Sequence, residues 1–172
     1  MKHHHKNDID FSTDTSERLA RLVRDLARGF SRSLQIRLAD YNVTFGQWTF
    51  LRVLWQQDGI TQRELAQLLG VMEPTAHAAL SKMQEAGYIE KVHKVGDRKK
   101  VFIYLTRHGK DLGKKLIPLA LEVNDIATDG LSEDMVAEIK KVLIRMATNL
   151  SEDEARSVEA GKTMPSTRKF SI

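Results

Sequence analysis

The chain has no cysteine, only three prolines in 172 residues, and aromatics at 6%. Without cysteine there is no disulfide, no thiol redox switch and no cysteine-ligated zinc site. No apolar run is long enough to span a bilayer, and the opening Met1-Lys2-His3-His4-His5-Lys6 lacks the apolar core of a secretion signal. A cytoplasmic protein with no membrane partner is expected. Also missing are the short patterns of common enzyme chemistry: a glycine-rich phosphate loop, H-E-x-x-H, a cysteine nucleophile and a nucleophile elbow. The chain is therefore expected to be neither an enzyme nor a carrier of a resident cofactor.

What is present is ordinary soluble usage, 41% hydrophobic and 29% charged, enough at this length for one domain with a real core. The net charge of +4 gives a modest bias toward nucleic acid, because net charge speaks to partners and not to fold.

The most informative stretch runs from Thr61 to Thr106. Thr61 followed by Glu64 has capping-box spacing, Leu65, Leu68 and Leu69 give an apolar stripe, and Gly70 can end the helix in a left-handed conformation. A second helix starts near Pro74, with Ala76, Ala79, Leu80 and Met83 inward and Pro74, Thr75, His77, Ala78, Ser81 and Lys82 on the remaining surface. Small and hydrogen-bonding residues on the outward N-terminal half suit insertion into a DNA major groove. A plain amphipathic helix pair is the bland alternative, because the motif recurs in proteins that never touch nucleic acid.

The next piece decides between them. Tyr88 to His93 and Val101 to Leu105 are β-rich and flank Lys94-Val95-Gly96-Asp97-Arg98-Lys99-Lys100, a hairpin with a cationic tip. Residues 88–100 hold five Lys/Arg against two acids and so carry +3 of the formal +4. A basic hairpin directly after a candidate recognition helix makes a winged helix, and charge, motif and element order all favour double-stranded DNA.

These residues resemble the MarR family of bacterial transcription regulators. The likeness is carried by Gln62-Arg63-Glu64-Leu65-Ala66, the helix between Gly70 and Gly87, and Asp97-Arg98-Lys99 leading through Leu105-Thr106 to Gly109, and it covers about residues 16–150. The run departs from the D-x-R wing pattern in having Lys99 where the family usually has arginine, so the minor-groove role falls to Lys99 or Arg98. Ala78 stands where many members are polar or basic, which shifts base reading to Thr75 and His77. The resemblance implies a DNA-contacting set of Thr61, Gln62, Arg63, Pro74, Thr75, His77, Ala78, Ser81, Lys82, Asp97, Arg98, Lys99 and Lys100.

Around this lobe the pattern is helical. From Ser16 to about Asp40, Leu19, Leu22, Val23, Leu26, Phe30 and Leu34 form one face and Arg18, Arg21, Arg24, Arg28 and Arg32 another, while Arg37 falls on the apolar side and needs a partner, more often a structural carboxylate than a ligand. Asn42 to Gln57 is a helix opened by Thr44 and rich in aromatics. After Thr106, Leu112, Leu116, Leu119, Val123 and Ile126 follow helical spacing through Pro118, which should kink the helix, and Ser132 caps a last one bearing Val136, Ile139, Val142, Leu143, Met146 and Leu150. A winged helix cannot cover all these apolar faces, so a homodimer is expected; in the family these helices form that interface. The family's pocket between dimerisation helices and DNA-reading lobe would here place Phe45 and Trp48 against an aromatic ring, with Arg28 or Arg52 meeting its carboxylate.

The expected fold is mainly α with a small β-hairpin wing (α+β), a winged helix-turn-helix with N- and C-terminal dimerisation helices. The expected organisation is a disordered segment 1–14, a domain 15–150 with its DNA-reading lobe at about 44–106 and dimerisation helices at about 16–40 and 107–150, and a tail 151–172. His3, His4 and His5 define no metal geometry and read as a tag or loose tail. The expected function is a homodimeric repressor on a palindromic operator, released by a small aromatic or phenolic carboxylate effector. Two alternatives remain: a metal-responsive regulator of the same fold using His77, His93 or His108, and a winged-helix protein-interaction module without ligand control.

Overall fold

Four hydroxyl side chains open four of the helices. Thr44 accepts from the Gln47 N–H at 3.2 Å while the Gln47 side chain accepts from the Thr44 N–H at 2.9 Å, and Thr61 and Glu64 repeat this reciprocal arrangement. Thr106 and Ser132 cap by their hydroxyls, accepting from Gly109 and Met135. Each satisfies backbone donors that a helix start leaves without a partner. The structure, a computed structural model, describes residues 15–94 and 97–163, with side chains described from residue 19 and not for 94–99.

In chain order the described elements are α1 (Thr15–Ala39), α2 (Phe45–Gln56), β1 (Ile60–Thr61), α3 (Gln62–Leu68), α4 (Glu73–Glu85), β2 (Ile89–Lys94), β3 (Asp97–Leu105), α5 (Arg107–Ala127) and α6 (Glu133–Glu159). The fold is mostly helical with one antiparallel sheet of order β1-β3-β2, the winged helix-turn-helix expected. Its core joins α1, α2, α3, α4, the sheet and α5 through Leu38, Leu51, Leu65, Leu80, Ile103 and Leu116, all fully buried.

Several boundaries differ from the sequence reading. Strand β1 has two residues, too short to display a period of two, yet Ile60 pairs with Ile103 and Thr61 with Phe102. The hairpin extends beyond its expected ends: Lys94 pairs with Asp97 across a bulge at His93/Lys94, so most of the basic tip is strand, and Val95 and Gly96 lie outside the described residues. Leu68 is exposed and Ala66 takes its place in the core. α5 runs through Pro118 as one helix. The expected tail is helical through Glu159, where a Ser-Glu-Asp-Glu run continues α6 instead of ending it. Residues 1–14, including His3 to His5, and residues 164–172 lie outside the described residues.

The lobe is fastened to α5 at one tight point. Thr106 donates its backbone N–H to the Tyr88 carbonyl (3.1 Å) and its hydroxyl to the Gly87 carbonyl (2.6 Å), while the same oxygen accepts from the Gly109 N–H (3.0 Å). A Cβ at Gly109 would collide with the Tyr88 carbonyl oxygen, and the Gly109 carbonyl accepts from Trp55 Nε1 at 2.8 Å. The L-T-x-x-G run is thus a packing device. Gly109→Ala should lower unfolding stability by about 1–3 kcal/mol, the usual range for forced overpacking, as read by urea denaturation; a change within about 0.5 kcal/mol, the range of neutral surface substitutions, would show that α5 can slide away from the wing.

Candidate nucleic-acid interface

Helix α3 begins where Glu64 accepts from both the N–H (2.8 Å) and the hydroxyl (2.7 Å) of Thr61. Those bonds, the hydroxyl's first, hold the Glu64 carboxyl below its ordinary range, and the positive charge of Lys100 in the wing acts in the same direction. A structural role therefore already occupies the Thr61 hydroxyl. Gly70, at φ 59°, makes the turn to α4. Arg63 pairs with Glu73 at 3.7 Å across that turn, both side chains largely exposed, so the pair aligns the two helix starts more than it stabilises them. Gln62 is half-buried beside it.

Helix α4 turns Ala76, Leu80 and Met83 into the core and leaves Pro74, Thr75, His77, Ala78 and Lys82 exposed. Ser81 is half-buried and differs from these in its bonds: its hydroxyl donates to the His77 carbonyl (2.9 Å) and accepts from Lys91 Nζ (3.0 Å). In the wing, Lys100 is exposed. Asp97, Arg98 and Lys99 are placed as backbone of β3, and their side chains fall outside the described ones. The structure therefore presents one outward helix face and an adjacent cationic hairpin. Lys91, absent from the expected set, had a signal in the alternation that puts positions 89, 91 and 93 on one face.

Between α1, α2 and α5 lies a cavity of about 530 Å³ whose walls include Phe30, Leu34, Phe45, Trp48, Arg52 and Trp55. Trp48 is 5% exposed and meets Trp55 edge-on, ring centroids 5.4 Å apart at 65°, a favourable aromatic geometry. Phe45 and Arg52 fall where the sequence reading put them. Arg28 does not: it sits on the exposed stretch of α1 and pairs with Asp25 at 3.6 Å, away from the cavity walls. Arg37 finds the partner its position demands in the Glu122 carboxylate at 2.9 Å, and also donates to Ser33 Oγ at 3.1 Å. The hydrogen bond and charge of Arg37 hold the Glu122 carboxyl below its ordinary range. Among the described residues no group of three or more His, Asp or Glu side chains could hold a metal, and no helix is long and apolar enough to cross a membrane.

A family model described as the MarR family matches residues 43–101, which spans α2 through most of the wing. An uncharacterized HTH-type transcriptional regulator, YybA of Bacillus subtilis, is 25% identical over 135 residues, covering 78% of this chain and 90% of that protein. A MarR transcriptional regulator from Methanosarcina mazei shares 26% identity and superposes with a TM-score of 0.73 over 78% of this chain and 96% of its own. A putative MarR family regulator from Listeria monocytogenes, solved in complex with a 26mer DNA, is 22% identical with a TM-score of 0.72 over 90% of this chain and 99% of its own, and at that identity the likeness is one of fold. Winged-helix geometry, matched segment and relatives agree: the chain has the fold of the MarR-type regulators, its segment 43–101 matches their family model, and it is similar over most of its length to HTH-type transcriptional regulators, which bind DNA and are not enzymes.

Proposed function

We propose that the protein is a homodimeric repressor that binds a palindromic operator and is released by a small aromatic or phenolic carboxylate. The observation that carries the dimer is the amount of apolar helix surface without a partner. α6 buries none of its residues. Ile139, Val142, Leu143 and Leu150 on it, Leu121 and Ile126 on α5, and Leu19, Leu22 and Leu26 on α1 are all exposed. An apolar surface of that extent marks an association face, and a two-fold dimer covers it with the same patch from a second copy. Leu143→Glu, together with Ile139→Glu, should convert the dimer to monomer in sedimentation velocity; a variant that still sediments as a dimer would move the interface elsewhere.

In this reading α4 enters the major groove, with Thr75 and His77 reading bases, while Arg98, Lys99 and Lys100 contact phosphate or the minor groove. That the Listeria monocytogenes relative was solved with DNA supports this reading. Replacing Thr75 or His77 by alanine should weaken the specific complex by about 1–3 kcal/mol and leave non-specific affinity unchanged. Equal losses on specific and scrambled duplexes, measured by fluorescence anisotropy, would remove both residues from base reading.

The effector reading rests on the cavity beside Trp48. Phe45 and Trp48 offer faces to an aromatic ring, and Arg52 at the wall offers a fork for its carboxylate. The cavity lies between the helices of the association face and the winged lobe, so an occupant can alter the spacing of two recognition helices that must stand about 34–36 Å apart, one DNA turn. The shift is limited to the occupant's differential affinity for the two states, and DNA must weaken effector binding by the same factor. Benzoate-, cinnamate- or nicotinate-like acids should raise the operator dissociation constant, and Trp48→Ala should lose that response while keeping DNA binding. A panel without effect, or a Trp48→Ala protein that responds like its parent, would return the cavity to plain core packing.

A further inference from the structure

Ser81 reads from the sequence as a base contact, yet its hydroxyl is engaged twice within the protein. Its proton goes to the His77 carbonyl one turn earlier, at 2.9 Å, and its oxygen accepts from the Lys91 ammonium at 3.0 Å. Lys91 belongs to β2 and stands opposite Ile103 in β3, a residue with no exposed surface. Cross-strand partners present their side chains on one face. Lys91 therefore lies on the core-facing side of the wing, one alternation beyond the buried Ile89, and is itself half-buried.

A cation in such a position ordinarily has a carboxylate beside it. Among the described residues none comes within ion-pair distance of Lys91. Its stem can cover the edge of the core while the ammonium emerges between α4 and the hairpin, held there by a single neutral hydroxyl. An ammonium carries three donors, and the bond to Ser81 uses one of them.

We propose that Lys91 is a DNA phosphate contact and that Ser81 is its positioning residue, setting the ammonium in the crevice where the strand bounding the major groove passes between recognition helix and wing. This rests on the reading of α4 and the wing as the DNA interface. It takes Ser81 out of the base-reading set and adds a cation from the root of the hairpin. A cation already fixed in place loses less side-chain freedom on binding than a solvated lysine. Its contact fixes the register of the duplex and carries no sequence information.

The test uses the full chain, a duplex it selects from a random-sequence pool, and a scrambled duplex of equal length, with affinities measured across a salt series. Lys91→Ala should flatten the log–log salt dependence by about 0.9 on both duplexes, the value for one lost phosphate contact, while Lys91→Arg keeps the slope. Ser81→Ala should weaken both complexes several-fold, Ser81→Thr should restore them, and Ser81→Ala should add nothing in the Lys91→Ala background, since the two act as one unit. An unchanged slope in Lys91→Ala, losses that multiply in the double variant, or an altered base preference in the duplexes selected by Ser81→Ala would each overturn the proposal. Failure of the interface reading looks different: the parent would select no duplex, and Thr75→Ala would bind as the parent does.

Discussion

The close approach of α5 to the carbonyl of Tyr88 is the constraint on which the rest of the molecule depends. The wing and α5 meet where only a glycine fits, and three groups converge on that spot. Thr106 closes hydrogen bonds to Gly87 and Gly109, Trp55 donates to the Gly109 carbonyl, and Asp58 accepts from the Leu105 N–H at 2.8 Å while pairing with Lys110 at 3.2 Å. Gly113, one turn along, lies close against the Trp55 indole, so that a side chain there would press on the ring. Together these bonds fix the angle between the winged lobe and the helix that leads into the exposed apolar surface at Leu121 and Ile126. Each is ordinary in strength, but a half-buried group that lost its partner would cost about 1–3 kcal/mol, and together they join α2, β3 and α5 to the turn at Gly87.

How much of this could be seen in the sequence depends on whether the signal was local. Capping boxes are local, and Thr61 with Glu64 marked the first helix of the motif correctly; Thr44 was read as a helix start, but its reciprocal partner Gln47 is a less emphatic box residue. The inward stripe Ala76, Leu80 and Met83 followed from period alone. The need of Arg37 for a partner was visible from its face, but that the partner is a carboxylate of the chain, Glu122, 85 positions away, could only come from the fold. Asp58 and β1 were missed for the same reason: their partners are in β3, and neither a lone aspartate in a turn nor two residues of strand has a period. The family pattern L-T-x-x-G was recognised as a pattern, while its cause, the Tyr88 carbonyl, is tertiary.

The candidate sites divide in the same way. Outward residues of α4 are a matter of helical phase, and Thr75 and His77 lie exposed as phase required. Hydrogen-bond commitments are not a matter of phase. Thr61 and Ser81 both carry hydroxyls that suit DNA, yet each is already bonded within the protein, Thr61 to its cap and Ser81 to the wing. Arg28 failed as a cavity residue because the arginines of α1 repeat at a spacing close to the helical period, and only the packing of α2 and α5 against α1 shows that the cavity opens beyond Phe30, past the end of that exposed stretch.

Trp55 ties these parts together. It lines the cavity, meets Trp48 edge-on, and bonds the first turn of α5 at the point where α5 touches the wing. A ring entering beside Trp48 would press on a pair of indoles, of which Trp55 is anchored to the Gly109 carbonyl. The available responses are a movement of the indole, which strains its hydrogen bond, or a bend of α5 near Pro118, whose distal half lines the cavity. The second leaves the Trp55 bond and the Thr106 cap at the start of α5 intact. It is also the one that would move a recognition helix relative to its counterpart in a second copy, because α5 continues directly from the lobe into the exposed apolar surface at Leu121 and Ile126.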